Sequence, residues 1–376
     1  MMQLAYLVCW GSVVVLIHVF IGYPLMMWLA ARLSPRPVRK QSMTPTVTVV
    51  IAVHDGSAQI QSKLANLHAL DYPHEHIEIV IACDGCRDDT AELAREYGDP
   101  RVRVLEFATR RGKAACLNDA IAQARGELLL LTDLRQKLSP KSLRELVANL
   151  ADPSVGAVSG ELQMENVHSG FAQGVDAYWR YEKLIRLSES RSGSTIGVTG
   201  ALYAMRRSLF VPLPPGTVLD DVLIPMRVAA AGYRVVFEPR ALAWDQPSQQ
   251  PAEERRRKIR TLAGNYQLIQ LAPWLLSPWS NPLWLRFVSH KLLRLLAPWL
   301  LLLLTLTTAM LATRHVMYAL MLVALLGAAA TVPIGRWLPV LGRWLPVRLM
   351  VAFFYLNLFA AQALLAFARN RGLHLW

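Results

Sequence analysis

Val47-Thr48-Val49-Val50-Ile51-Ala52-Val53-His54-Asp55 decides how this chain folds. An unbroken run of apolar and β-branched residues has the length of a strand buried on both faces, and it stops at a histidine and an aspartate. The pattern returns at 77–83, closed by Asp84, and at 128–132, closed by Asp133. Helical periodicity fills 58–69, 89–97 and 114–124, with a further strand at 102–106. Such alternation predicts a doubly wound α/β sheet whose acids crowd the carboxyl edge, where open sheets take their ligands. Beyond it, Ser139-Pro140 predicts the cap and first turn of a helix to residue 150, and strands follow at 155–159 and 202–205. Asp220-Asp221 opens a helix over 221–231, closed by Gly232, with a strand at 234–237.

In a chain of 376 residues, a hydrophobic content of 53% exceeds what a soluble domain needs. Residues 4–31 contain no Asp, Glu, Lys or Arg, and a helix over them reaches about 42 Å, enough to cross a bilayer core of roughly 30 Å. No basic residue precedes Arg32, which predicts an anchor rather than a cleaved signal peptide. Apolar runs at 295–312, 316–334 and 349–368 predict about three more membrane helices. Arg32, Arg36, Arg39 and Lys40 after the first span, and Arg286, Lys291 and Arg294 at the second, place the domain between them in the cytoplasm. Strict alternation then sets Arg369 and Arg371 outside, against the same bias, so one span is read as re-entrant or miscounted. The tandem Gly335-Arg336-Trp337-Leu338-Pro339-Val340 and Gly342-Arg343-Trp344-Leu345-Pro346-Val347 reads as interfacial.

The net charge of +13 invites a nucleic-acid reading, but much of it lies beside the spans or in 255–260, where lipid headgroups or phosphates are nearer partners. No nucleic-acid partner is therefore expected. A basic helix over 253–269 runs into Trp274, Trp279 and Trp284, which predicts a segment along the membrane surface. The four cysteines include Cys83-x-x-Cys86, which lacks the second ligand pair of a zinc site.

Six motifs occur in order: Ala52-Val53-His54-Asp55; Cys83-Asp84-Gly85-Cys86-Arg87-Asp88-Asp89-Thr90; Arg111-Gly112-Lys113 through Asn118; Leu131-Thr132-Asp133; Gly200-Ala201-Leu202-Tyr203-Ala204-Met205-Arg206-Arg207; and Leu219-Asp220-Asp221. Together with Ser289-His290-Lys291-Leu292-Leu293-Arg294, this set resembles the membrane-bound family 2 glycosyltransferases, which have a Rossmann-like GT-A fold. The resemblance implies an N-terminal membrane helix in 1–35, a GT-A domain in 46–250, interfacial helices in 251–290 and a C-terminal membrane region in 291–376. It also implies a bacterial inner-membrane enzyme with its catalytic domain in the cytoplasm.

From the resemblance, Asp84 would accept the imide hydrogen of a UDP-sugar, with Ala52, His54 and Asp55 lining the base and ribose and Lys113 reaching the diphosphate. Asp133 matches the first acid of the D-x-D motif that holds a divalent metal, Mg or Mn, but Arg135 stands at the partner position. Either Asp245 completes the metal site or the Arg135 guanidinium meets phosphate directly. Asp221 matches the general base that would drive inversion, beside Asp220. Gly200, Ala201, Arg257 and Arg260 would line the acceptor and diphosphate region. The plain alternatives are a turn aspartate at Asp84, a helix cap at Asp220 or Asp221, and solvated cations at Lys113, Arg257 and Arg260.

Processive relatives carry Q-x-x-R-W after this point. Here Arg256-Arg257-Lys258-Ile259-Arg260-Thr261 has no such tryptophan, so transfer of one sugar to a lipid-linked or polysaccharide acceptor is expected. A processive synthase is the alternative enzyme. A catalytically silent scaffold, with partners in a polysaccharide assembly complex, is the rival from another class.

Overall fold

The computed structural model describes residues 2–165, 170–246, 251–337, 344–369, 372 and 375. The first membrane-length helix is built from α1 (Met2–Ile17) and α2 (Tyr23–Leu33), joined by a π-helical turn over His18–Gly22. The nucleotide-side elements follow in sequence as β1 (Val47–Val53), α3 (Ser57–His68), β2 (Ile77–Asp84), α4 (Thr90–Glu96), β3 (Val102–Phe107), α5 (Lys113–Ala122) and β4 (Leu128–Leu131). Next come β5 (Lys137–Leu138), α6 (Ser142–Leu150), β6 (Val155–Met164), α7 (Gly170–Arg191), β7 (Tyr203–Arg206), α8 (Asp220–Ala230) and β8 (Arg234–Asp245). The long α9 (Pro251–Leu271) and short α10 (Trp284–Phe287) lead through a second π turn, Val288–Leu292, into α11 (Leu293–Leu311), α12 (Val316–Trp337) and α13 (Leu345–Arg369).

The eight strands form one sheet in the order β3-β2-β1-β4-β7-β6-β8-β5. Its first half is parallel, as the alternation predicts: Val47 pairs with Ile77 and with Leu128, and Ile79 with Val102. Strand β1 is buried at every position, because α3 covers one face and α5 the other. The second half departs from a doubly wound sheet. Strand β7 enters antiparallel between β4 and β6, while β8 lies parallel to β6 and antiparallel to the two-residue β5. Hydrophobic runs report burial but not strand direction, so this reversal was not readable from the pattern. Strands β6 and β8 also run on to Met164 and Asp245, well past 159 and 237. Helix α6 starts at Ser142 with Lys141 at its N-cap, so Ser139 is not the cap; its carbonyl instead accepts the Ser142 N–H at 3.0 Å.

Among the described residues, four helices are long and apolar enough to cross a membrane: Met2–Leu33, Trp284–Leu311, Val316–Ile334 and Leu345–Arg369. Cys9 and Leu304 bury together where α1 meets α11. The His18 ring Nε2 lies 2.9 Å from Ser289 Oγ, so the two π turns meet. Such turns widen a helix and expose its backbone, a feature frequent near functional sites. Residues 338–343 of the tandem Arg-Trp-Leu-Pro repeat, and Arg371, lie outside the described residues.

The sheet's working edge depends on one tight approach. Gly85 follows β2 at φ +60°, and a Cβ there would come within 2.5 Å of the Arg110 backbone nitrogen and 2.7 Å of the Thr109 carbonyl carbon. Backbone cannot swing aside as a side chain can, so Gly85→Ala is expected to cost about 2 kcal/mol or more. The check is chemical unfolding of the detergent-solubilised chain; an unchanged midpoint would show that the turn relaxes freely.

Candidate active site

Each end of the sheet's carboxyl edge delivers one group. Asp84 closes β2 fully buried; its Oδ1 accepts the Arg111 N–H at 2.6 Å and its Oδ2 the Gly112 N–H at 2.8 Å. A carboxylate on the orphan N–H groups before α5 is favourable both as hydrogen bonding and as charge at a helix start. Gly112, at φ +90°, then turns the chain so that Lys113 opens α5 facing the sheet edge. His54 donates from Nδ1 to the Asp84 carbonyl at 2.8 Å, and Asp55, at φ +50°, accepts the Arg87 N–H. Asp55 is the one non-glycine residue with positive φ among the described residues, a strained conformation often kept at functional sites.

Lys113 is the centre of the arrangement. Its Nζ lies 2.9 Å from Asp133 Oδ1, at the end of β4, and 3.3 Å from Asp220 Oδ2, in the first turn of α8. Asp220 is 4% exposed and faces that ammonium from within the fold. Burial opposes the charge on Lys113, but the combined pull of Asp133, Asp220 and Asp221 outweighs it and raises the lysine's pKa. Asp221 is pushed up to about 6 by burial and by Asp220, against the pull of Lys291 and Lys113. Gly200 faces the same group: a Cβ on it would sit 3.7 Å from both Asp221 Oδ2 and Lys113 Nζ. Neither acid caps α8, whose N-cap is Leu219 without a side-chain bond; the Asp221 carbonyl instead accepts the Val198 N–H at 2.9 Å.

Arg135, at the second position of the interrupted D-x-D, donates to Asp245 Oδ2 at 2.5 Å, and Gln136 Nε2 donates to the same oxygen at 2.9 Å. The substitution therefore pairs the end of β4 with the end of β8. Asp245 Oδ1 is buried with no hydrogen-bond partner among the described residues. An orphaned carboxylate oxygen in a cleft that also holds Asp133 fits a hard divalent cation, which takes oxygen ligands. Asp55, Cys86 and Asp88 also lie close together, but Asp88 is spent on Ser57 and Thr90.

A cleft of about 760 Å³ runs past these groups. Ala52, His54, Asp55, Lys113, Asp133, Arg135, Gly200, Ala201, Asp220, Asp221, Asp245, Arg257 and Arg260 all line it, whereas Asp84 does not. Arg260 lies in the field of Asp220, Asp133 and Asp221, and burial lowers its pKa.

Four cleft-side residues escaped sequence reasoning. Lys63, 2% exposed, stands behind the site and donates to Thr132 Oγ1 at 2.9 Å and to the Gln136 carbonyl at 2.7 Å, bracing the segment that carries Asp133 and Arg135. Its place inside a helical pattern gave no sign of this. Tyr203, fully buried beside the three acids, lies within a quoted motif, as does Lys291; Arg186 had no signal beyond its helix.

The profile described as "Glycosyltransferase like family 2" matches residues 45–264. The chain is 25% identical over 230 residues to the poly-beta-1,6-N-acetyl-D-glucosamine synthase of Staphylococcus aureus, covering 59% of this chain and 55% of that one. It is 23% identical over 235 residues to the synthase of the same name from Staphylococcus epidermidis, covering 61% and 56%. The matches thus span about half the length of these relatives. Among solved structures, a mannosyltransferase of Pyrobaculum calidifontis in complex with GDP-Man and Mn2+ superposes with a TM-score of 0.72 at 24% identity, over 96% of this chain and 98% of that one. The mixed-sheet GT-A fold, with apolar helices at both ends, is shared along nearly the whole chain.

Burial pushes Lys63 down to about 7, partly offset by Asp133. Its folded pKa lies below its ordinary value, so the unfolded chain holds the extra proton and stability rises with pH from about 7 toward about 10. Thermal unfolding in detergent at about pH 7 and about pH 9 should show the native midpoint gaining on that of Lys63→Met; parallel pH responses would remove the buried charge from the account.

Proposed function

The chain belongs to glycosyltransferase-like family 2, and on that premise we propose that it is an inverting enzyme transferring one sugar from a UDP-sugar to a lipid-linked or exopolysaccharide acceptor at the cytoplasmic membrane face. The observation that carries this reading is the convergence of Asp133, Asp220 and Asp221 around Lys113 in one cleft. A diphosphate leaving group brings negative charge, and Lys113, Arg257 and Arg260 are the cations placed to receive it. Ala52, His54 and Asp55 line the end of the cleft assigned to the base and ribose, while Asp84 supports it from behind by fixing the 111–112 turn.

In the proposed step Asp221 takes the proton of the acceptor hydroxyl. The freed oxygen attacks the anomeric carbon, and the bond from that carbon to the diphosphate oxygen breaks with its electron pair going to UDP. Asp220, paired to Lys113, holds the charge pattern that keeps Asp221 basic near neutrality. Asp133 and Asp245 would hold a divalent Mg or Mn ion, whose chemistry is neutralisation of the departing diphosphate. Arg135 holds Asp245 in place for that role.

The staphylococcal relatives, both polymer synthases, favour a second reading, polymer synthesis. Against it stands 255–261, which carries no tryptophan beside its arginines. Radiolabelled product would decide: a single added sugar supports the first reading and a ladder the second.

Two further outcomes are expected. In a panel of UDP- and GDP-sugars, UDP-sugars should bind tightest and lose about tenfold affinity on chelation of Mg or Mn, a loss of roughly 1.4 kcal/mol. Tighter GDP-sugar binding would overturn the donor assignment, and affinity indifferent to metal would mean that Arg135 has replaced it. For Asp221→Asn, turnover should fall by at least about a hundredfold with nucleotide affinity retained. Since a base works deprotonated, native kcat/KM should fall as pH drops through about 6. In Lys113→Met that limb should move to higher pH, because a neighbouring cation is gone; a limb that stays put would exclude Asp221.

A further inference from the structure

Behind Asp221 the cleft extends to the membrane-proximal helices, and the charges there divide into two sets. Glu182 and Glu189 on α7 face His290 in the second π turn: His290 Nδ1 lies 2.8 Å from Glu189 Oε1 and Nε2 lies 3.0 Å from Glu182 Oε2. Each ring nitrogen of His290 is thus taken up by a carboxylate of α7. Arg294 pairs with Glu182, and Tyr23 of α2 donates to Glu189. Burial opposes ionisation of Glu182, but Arg294 and His290 outweigh it and hold its carboxyl well below the usual range. The two carboxylates, His290 and Arg294 thus satisfy one another within this buried cluster.

The second set has no such direct pairs. Among the described residues Arg186, one helical turn from Glu182 and Glu189 on α7, makes one neutral hydrogen bond, Nη1 to Thr199 Oγ1 at 3.0 Å. Lys291, next to His290 in the chain, has no hydrogen bond or ion pair among the described residues. Both line the cleft; Lys291 lies in the attractive field of Asp221 and Glu182, while Arg186 and Arg294 repel it. The cluster fixes α7 against the start of α11 and so holds these two cations in place without a direct ion pair to either. Two partly desolvated like charges that lack a direct partner favour an anion between them. They stand where the cleft reaches the start of the Trp284–Leu311 membrane helix, the depth of lipid headgroups.

We propose that Arg186 and Lys291 form a second anion seat in the cleft, separate from the diphosphate end, which binds the phosphate of a lipid acceptor's headgroup. The inference rests on the transferase reading of the cleft and narrows its acceptor to a phosphate-bearing lipid. Arg186 gives a planar fork and Lys291 a point charge, the pair of donors that a phosphate group takes well.

The test uses the full chain in phosphatidylcholine nanodiscs, with farnesyl phosphate and farnesol as probes of equal tail length. Farnesyl phosphate should bind at least about tenfold tighter than farnesol. The double variant Arg186→Met, Lys291→Met should lose that preference, Arg186→Lys, Lys291→Arg should keep most of it, and nucleotide-sugar affinity should stay within about twofold in both. Equal binding of phosphate and alcohol to the native chain would overturn the seat, as would a preference that survives in the double methionine variant. Displacement of the probe by phosphatidylglycerol as readily as by farnesyl phosphate would overturn it too, reducing the pair to a general lipid contact. Loss of nucleotide-sugar binding by the native chain would instead sink the transferase reading, and the comparison of phosphate with alcohol would still decide the seat.

Discussion

One ammonium group among carboxylates is the constraint on which the site depends. Asp133, Asp220 and Asp221 come from the end of β4 and the start of α8, and three acids in a half-buried cleft repel one another unless a cation stands between them. Lys113 supplies it, and the fold is arranged to put it there. Asp84 binds the 111–112 amides, Gly112 turns the chain, and α5 begins at the sheet edge. On the far side, Lys63 braces 132–136 from beneath, so Asp133 lies between a buried amine behind it and the cleft-lining amine of Lys113 in front.

The same balance accounts for Arg135. A guanidinium that pointed elsewhere would leave the buried Asp245 with only the Gln136 amide to offset its charge. Its contact with Asp245 ties β4's outgoing segment to the last residue of β8, across the half of the sheet that runs mixed. The pair leaves one Asp245 oxygen without a partner. An altered motif thus keeps an acidic ligand in the cleft by drawing it from a distant strand.

The membrane helices are joined to the cleft by polar contacts rather than by a linker alone. Arg286 donates to the carbonyls of Glu189, Ser192 and Ser194, completing the end of α7, where a cation is favoured. Tyr23 and His290 close on Glu189 from two different membrane-length helices. Buried polar groups of this kind tolerate one geometry, so they fix the angle at which α7 meets the bilayer-facing bundle.

By itself the sequence determined the parallel half of the sheet and the four apolar helices, and it offered a candidate set of residues for the cleft. Period, length and terminal acids are local properties: Val47–Val53 and Ile77–Asp84 announce themselves because burial on both faces demands unbroken apolar runs. Ordered motifs then named Lys113, Asp133 and Asp221 one at a time. Tertiary structure decided what no local pattern encodes: the reversal at β7, the partner of Arg135 a hundred residues away in Asp245, and the burial of Lys63 behind the site. Direction, pairing and charge compensation depend on which segments end up within a few ångströms, and that distance is set by the mixed sheet and its packed helices rather than by neighbours along the chain.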